Sequence, residues 1–330
     1  MDLSLANDSE RTDWICSEYD RSLLTAVLFG IYGTMCVIGV VGNLFSFVVF
    51  TAMRHRGSGI FYLRALAIAD GIASLSSTLS KLNYYLQLYG YVDGDWSREI
   101  ARKYAGIDYV VMVSRYTSQS VTLAVTVDRY IAVIFPLKAP RYCTVHRAKL
   151  VTCSLFLFAG VHTLPQYFVV KMIETASCGD RDRVVLKFTI ADYGPVWQSF
   201  LWGFFFTVDS ILTKTLPFSL AMLLNIHVVF TILAANLKRK DLSKGKTNRN
   251  TVNIALVVVS LCFVSFLEGT YEVIANKQYG SIDYFYFFFA FLMFEMFNVS
   301  VNLFIYAFIR RGFLQTLVWC LTLGLFGRKF

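Results

Sequence analysis

Several ionisable side chains stand inside stretches that are otherwise apolar, and these are the residues with chemistry to do. Asp70 ends the run Leu66-Ala67-Ile68-Ala69-Asp70, Asp128-Arg129-Tyr130 closes a later run, and Arg115, Asp209, Glu268, Glu272 and Glu295 fall within others. A charge in hydrocarbon costs about 2.5–3.5 kcal/mol at the centre of a spanning helix, so each needs a partner, an ion or a wet cavity. Asp128 is placed to pair with Arg129. Arg115 can pair with Glu268 or Glu295 as a structural network, since a buried pair need not bind anything. Alternatively Arg115, Asp209, Glu268, Glu272 and Glu295 form a polar chamber with acidic excess, suited to a cationic ligand and walled by aromatics such as Tyr84, Tyr109, Tyr271 and Tyr284. No enzyme constellation accompanies them. The four histidines, His55, His146, His162 and His227, have no metal-ligand spacing with a cysteine or with one another.

The elements that must position these residues are membrane helices. The chain has 330 residues, 56% hydrophobic and 16% charged. Soluble domains carry about 45–50% apolar and about 25% charged residues, so this composition suits lipid as the solvent. Seven apolar stretches, near 23–52, 61–89, 103–135, 147–170, 198–236, 251–275 and 284–308, are long enough to cross a bilayer, which takes about 20 residues. The fold class is therefore all-α, a seven-transmembrane-helix bundle over 23–308. Residues 1–22 form an extracellular N-terminus, and 309–330 a short amphipathic membrane-surface helix and tail. The gaps are short, and the inverted repeats that mark transporters are absent, which makes a transporter the weaker alternative.

Charge placement orients the bundle. Basic residues crowd the turn after span one (Arg54, Arg56), the loop after span three (Lys138, Arg141, Arg147, Lys149) and the loop after span five (Lys238 to Arg249), which places those loops inside. Residues 1–22 are acidic, lack the pattern of a cleavable signal, and lie outside. The net charge of +9 is then topology and attraction to the inner leaflet of the lipid bilayer, and implies no nucleic acid. Asn7-Asp8-Ser9 is a glycosylation sequon on the outer side. Of seven cysteines, Cys16 and Cys178 alone face outside.

With these motifs in place, the chain resembles the rhodopsin-class G-protein-coupled receptors over nearly its whole length. The resemblance rests on Asp70 in span two, Asp128-Arg129-Tyr130 at the inner end of span three, Pro217 in span five and Asn298-Val-Ser-Val-Asn302-Leu-Phe-Ile-Tyr306 in span seven. It implies a sodium ion, as an allosteric ligand, at Asp70, Ser118, Asn298 and Asn302, with no other metal and no organic cofactor. It implies coupling to a heterotrimeric G protein through Asp128, Arg129, Tyr130, Pro136, Leu137, Asn225, Asn302 and Tyr306. Arg129 would be held by Asp128 at rest and freed on opening, and Pro136-Leu137 would plug a pocket on the G protein. The run from Asp128 to Thr144 and Thr163-Leu-Pro-Gln-Tyr-Phe168 look like invertebrate FMRFamide-type neuropeptide receptors. That resemblance implies a plasma-membrane receptor for a short amidated peptide; a lipid or other small molecule sensed by the same fold is the alternative.

The departures are specific. Tyr104 stands where the family has the span-three cysteine, so Cys178 lacks its usual partner and Cys16 becomes the expected one. Span six has neither Trp nor Pro in Cys262-Phe-Val-Ser-Phe-Leu-Glu268, Asn225 replaces a tyrosine, and Leu303 replaces the proline of span seven. Span seven carries no lysine for a retinal Schiff base, with Met296 at that position, and Val111 replaces the acid that would meet a monoamine.

Overall fold

The computed structural model describes residues 23–53, 57–88, 94–178, 183–190, 210–238, 282–309 and 312–322. Six long helices lie among them. They are α1 (Leu23–Ala52), α2 (Ser58–Leu88), α3 (Gly94–Ile134), α5 (Val145–Val169), α6 (Leu216–Lys238) and α7 (Ile282–Ile309), the expected spans one to five and seven. Even the shortest, the 23 residues of α6, exceeds a hydrocarbon core of about 30 Å at about 1.5 Å per residue. Span six, at 251–275, lies outside the described residues.

Polarity is arranged for lipid. Asn43, Ser46, Asp70, Ser74, Ser77 and Thr117 are buried between the helices, while Leu157 (70% exposed), Phe158, Val161, Leu223 and Phe230 point outward. A soluble domain does the reverse. Helices in lipid gain little from burying apolar groups against one another, so they are joined by close packing and interhelical hydrogen bonds. α3 is central and packs on α2, α5 and α6, whereas α1 packs on α2 and α7.

Local sequence sets the helix ends. Proline disfavours helical geometry in the residue before it, and α3 stops at Ile134, just ahead of Phe135-Pro136. A tight turn, with Lys138 N–H on the Phe135 carbonyl, leads into the short α4 (Ala139–Tyr142). Pro217 has no N–H to close an α bond back to Thr213, and the turn before α6, Ser210–Thr215, is widened to π-helix. Leu303 keeps its N–H, and α7 runs through it unbroken. Gly312, at φ 81°, is in the left-handed region that favours glycine. It turns the chain into α8 (Phe313–Thr322), whose Phe313 is buried and whose Leu314, Val318 and Leu321 are exposed, as in a helix lying along a membrane.

One element adds to the helical expectation. β1 (Val170–Cys178) and β2 (Arg183–Ile190) form an antiparallel hairpin in register from Val170↔Ile190 to Cys178↔Arg183, interrupted between Glu174 and Ala176. Val, Ile and Thr dominate β2, which suits a strand. The hairpin packs on α3 through both strands.

Candidate functional site

Asp70 is the centre of the buried polar cluster, 1% exposed. Ser118 Oγ of α3 donates to its Oδ1 at 2.5 Å, and Asn302 Nδ2 of α7 donates to its Oδ2 at 2.7 Å. One carboxylate thus ties three helices. Asn298, the fourth residue of the expected ion site, lies on α7 one helical turn from Asn302 and is half-buried. Ser74, one turn from Asp70 on α2, has a buried hydroxyl without a hydrogen-bond partner. A carboxylate, the Ser118 hydroxyl and an unsatisfied hydroxyl form an oxygen-rich set that fits a hard cation, but only if Asn302 releases the oxygen it now holds.

Around this centre α1 is fastened to α7 and α2. Asn43 Nδ2 donates to the Gly39 carbonyl at 2.9 Å and to the Val299 carbonyl at 3.1 Å, and Ser300 Oγ donates to the Met35 carbonyl at 2.7 Å. Gly39 permits the approach, because a Cβ there would collide with Ser74 Oγ. Arg64 is a fastening the sequence reading missed. Its Nε and Nη2 both donate to the Phe50 carbonyl, at 2.9 and 2.6 Å, near the C-terminal end of α1, where a cation also meets the negative end of the helix dipole. The signal was available: an arginine a few residues inside an apolar stretch must find acceptors.

The C-terminal end of α3 differs from expectation in one respect. No ion pair joins Asp128 to Arg129 among the described residues. Neighbours on a helix lie about 100° apart and do not face each other. Arg129 is exposed and its guanidinium lies against Gly59 at the start of α2, where an added Cβ would be 3.0 Å from Nη2. The Asp128 carbonyl accepts from Cys143 Sγ at 3.5 Å. Burial first, then the Asp128 charge, pushes the Cys143 thiol up to about 11. Tyr130 OH instead meets His227 Nδ1 of α6 at 3.1 Å, a second contact that the sequence did not disclose. Pro136 and Leu137 project from the turn, Leu137 being 95% exposed.

Asn225 is buried and donates to the Ala221 carbonyl of its own helix at 2.8 Å, while the Tyr306 ring packs on Phe50 (5.0 Å) and Phe313 (5.9 Å).

Of the outer chamber, Arg115 Nη2 reaches Ser77 Oγ at 3.4 Å, joining α3 to α2, and Tyr109 OH donates to the Gly160 carbonyl at 2.8 Å, joining α3 to α5. Glu295 is on α7, but its side chain lies outside the described residues, as do Asp209, Glu268 and Glu272 entirely. Asn7 and Cys16 are outside them too, and Cys178 is described only as the last residue of β1.

The profile of the 7 transmembrane receptor (rhodopsin family) matches residues 42–306. Among individual proteins, the chain is similar to an FMRFamide receptor of Drosophila melanogaster, 24% identical over 286 residues, covering 82% of this chain and 47% of that protein. It is also similar to thyrotropin-releasing hormone receptors. That of Gallus gallus is 27% identical over 228 residues (66% and 52% covered), and that of Homo sapiens 26% identical over 248 residues (72% and 58% covered). The chain spans about half the length of the curated relatives it matches.

Proposed function

The chain belongs to the rhodopsin family of seven-transmembrane receptors, a family of receptors rather than enzymes, and from that premise we propose that it passes the binding of an extracellular peptide to a heterotrimeric G protein across the plasma membrane. The N-terminus is outside in this reading, and the basic loops after spans one, three and five are inside. The observation that carries the reading is the inner surface. Leu137 is 95% exposed on a turn just past the lipid-facing stretch, and Arg129, near the end of the helix that leads into that turn, is exposed too. A solvated leucine on the turn after α3, with an exposed arginine at the end of that helix, is what a partner helix with an apolar face and carbonyl ends would meet.

A peptide is favoured because relatives named for FMRFamide and for thyrotropin-releasing hormone are among the matches, and because Glu268, Glu272, Glu295 and Asp209 give the outer chamber an acidic excess. The test is a calcium and cAMP screen of amidated peptides in cells bearing the receptor, followed by Gln or Asn at each acid. Losing one side of a desolvated charge pair costs about 2–5 kcal/mol, so the right substitution should weaken the response by about 30-fold or more. Activation by a lipid and by no peptide would overturn the peptide assignment.

Asp70, Ser118, Asn298 and Asn302 would hold a sodium ion, whose charge would replace the Asn302 donor on the carboxylate. Melting of the purified receptor in sodium chloride against choline chloride reads this directly. A higher melting temperature in sodium is expected, and equal melting would remove the ion from the account.

A further inference from the structure

Two buried polar groups without partners lie in the seam between α3 and α6. Gln119 is 8% exposed, and its Oε1 has no hydrogen-bond partner; Thr215 Oγ1 is likewise buried with none. Register places them opposite each other. Leu123 of α3 packs on Phe218 and Ala221 of α6, and further in Tyr130 of α3 meets His227 of α6, so the two helices run parallel and in step. Gln119 is one turn outward from Leu123, and Thr215 about one turn outward from Phe218. The π turn that ends at Thr215 packs directly against α3.

The chemistry of the two groups is complementary. A threonine hydroxyl both donates and accepts, and a glutamine amide offers an acceptor oxygen and a donor nitrogen, so a bond between them exists whichever way the amide is turned. Leaving both unmade in a lipid-embedded protein keeps a desolvation cost in this arrangement, and such groups call for an explanation. The π turn supplies one. A π turn holds an extra residue, sits often at functional positions, and on tightening to α-helix changes the angular position of the residues it carries.

We propose that Gln119 and Thr215 are the two halves of an interhelical hydrogen bond that this arrangement holds open, and that the π turn before α6 is the joint whose tightening closes it. The closed form is the signalling form; that consequence, and only that, rests on the receptor reading above.

The experiment uses the purified full chain with Gln119→Leu, Thr215→Val, their double variant, and Thr215→Ser, which keeps the hydroxyl. In thermal unfolding, Gln119→Leu and Thr215→Val should each raise the melting temperature, since each removes an unsatisfied group, and the two effects should add. Melting that falls or stays level in both would mean that the bond is already made or that the groups are indifferent, and would overturn the proposal. In agonist-free nucleotide exchange on a purified G protein, each single variant should be slower by about 3- to 10-fold, the double no slower than either single, and Thr215→Ser as fast as the wild type. Single variants with undiminished exchange would detach the bond from signalling and overturn that half. If the wild type drives no exchange on any Gα, the receptor reading fails, and the sign of the melting shifts still decides the bond.

Discussion

The seam joining α1, α2 and α7 and the seam joining α3 and α6 are built differently. Across the first run the bonds of Asn43 to Val299, Ser300 to Met35, Asn302 to Asp70 and Arg64 to Phe50, with Gly39 letting α1 and α2 nearly touch. The second is crossed by Tyr130–His227 at its inner end and by the apolar contacts of Leu123 with Phe218 and Ala221, and it holds unsatisfied Gln119 and Thr215. Interhelical polar bonds in membranes average about 0.6 kcal/mol, so rigidity comes from their number. Among the described residues, the first seam is therefore a frame and the second a joint. The first also leaves Asn43 Oδ1 and Ser74 Oγ unsatisfied, but among bonds that already fix the helices.

The contrast can be broken where it is strongest. Asp70→Ala removes an acceptor that holds two donors, and bonds to a charged group contribute about 1.5–3 kcal/mol each, so the resting receptor should lose about 3 kcal/mol or more in thermal or denaturant unfolding. A loss no larger than that of a surface substitution would deny that Asp70 anchors the frame.

Next in size is the inner end of α3. With its thiol pushed up to about 11 from 9.0, Cys143 holds roughly 100-fold less thiolate than an ordinary cysteine at any pH below about 9. The folded state favours the neutral thiol, so its contribution to stability is present below pH 9 and is lost as pH rises toward 11. Alkylation of Cys143 followed against pH should have its midpoint well above 9, and a midpoint near 9 would show the loop open to solvent.

Arg64→Leu keeps the packing but removes both donors from the Phe50 carbonyl, and about 1.5 kcal/mol of stability should go with them, read as a lower melting temperature. Smallest is Tyr130→Phe, which deletes only the bond to His227, at about 0.6 kcal/mol. Because that bond crosses the joint and not the frame, agonist-free nucleotide exchange should rise about 3-fold while melting hardly moves. Unaltered exchange would place Tyr130–His227 outside the moving part.

Much of the frame was legible from residue types alone. Asp70 inside an apolar run demanded partners; Ser118 and Asn302, which only the family resemblance implied, donate to it. The expected end of span three at 135 falls within one residue of the end of α3 at Ile134. The joint was less legible, because its features depend on the register between helices far apart in sequence. Nothing in Tyr130 or His227 singly announces the other, and Gln119 and Thr215 become notable only when α3 and α6 are set side by side. Asp128 and Arg129 misled for a related reason. Adjacency in sequence suggested a pair, and helical geometry turns adjacent side chains apart. The hairpin of β1 and β2 escaped notice because Val170–Cys178 mixes Lys171, Glu174 and Ser177 with apolar residues and does not alternate cleanly.

In the function proposed above, the surface around Arg129 and Leu137 drives a G protein, and nucleotide exchange on purified Gα proteins tests this most directly. The wild type should accelerate exchange. Leu137→Asp, at a side chain too exposed to matter for folding, should melt as the wild type does and slow exchange by about 30-fold, the loss typical of a contact hot spot, and Arg129→Ala should do the same. Exchange undiminished in both variants at equal protein, or no acceleration by the wild type on any Gα, would contradict the account.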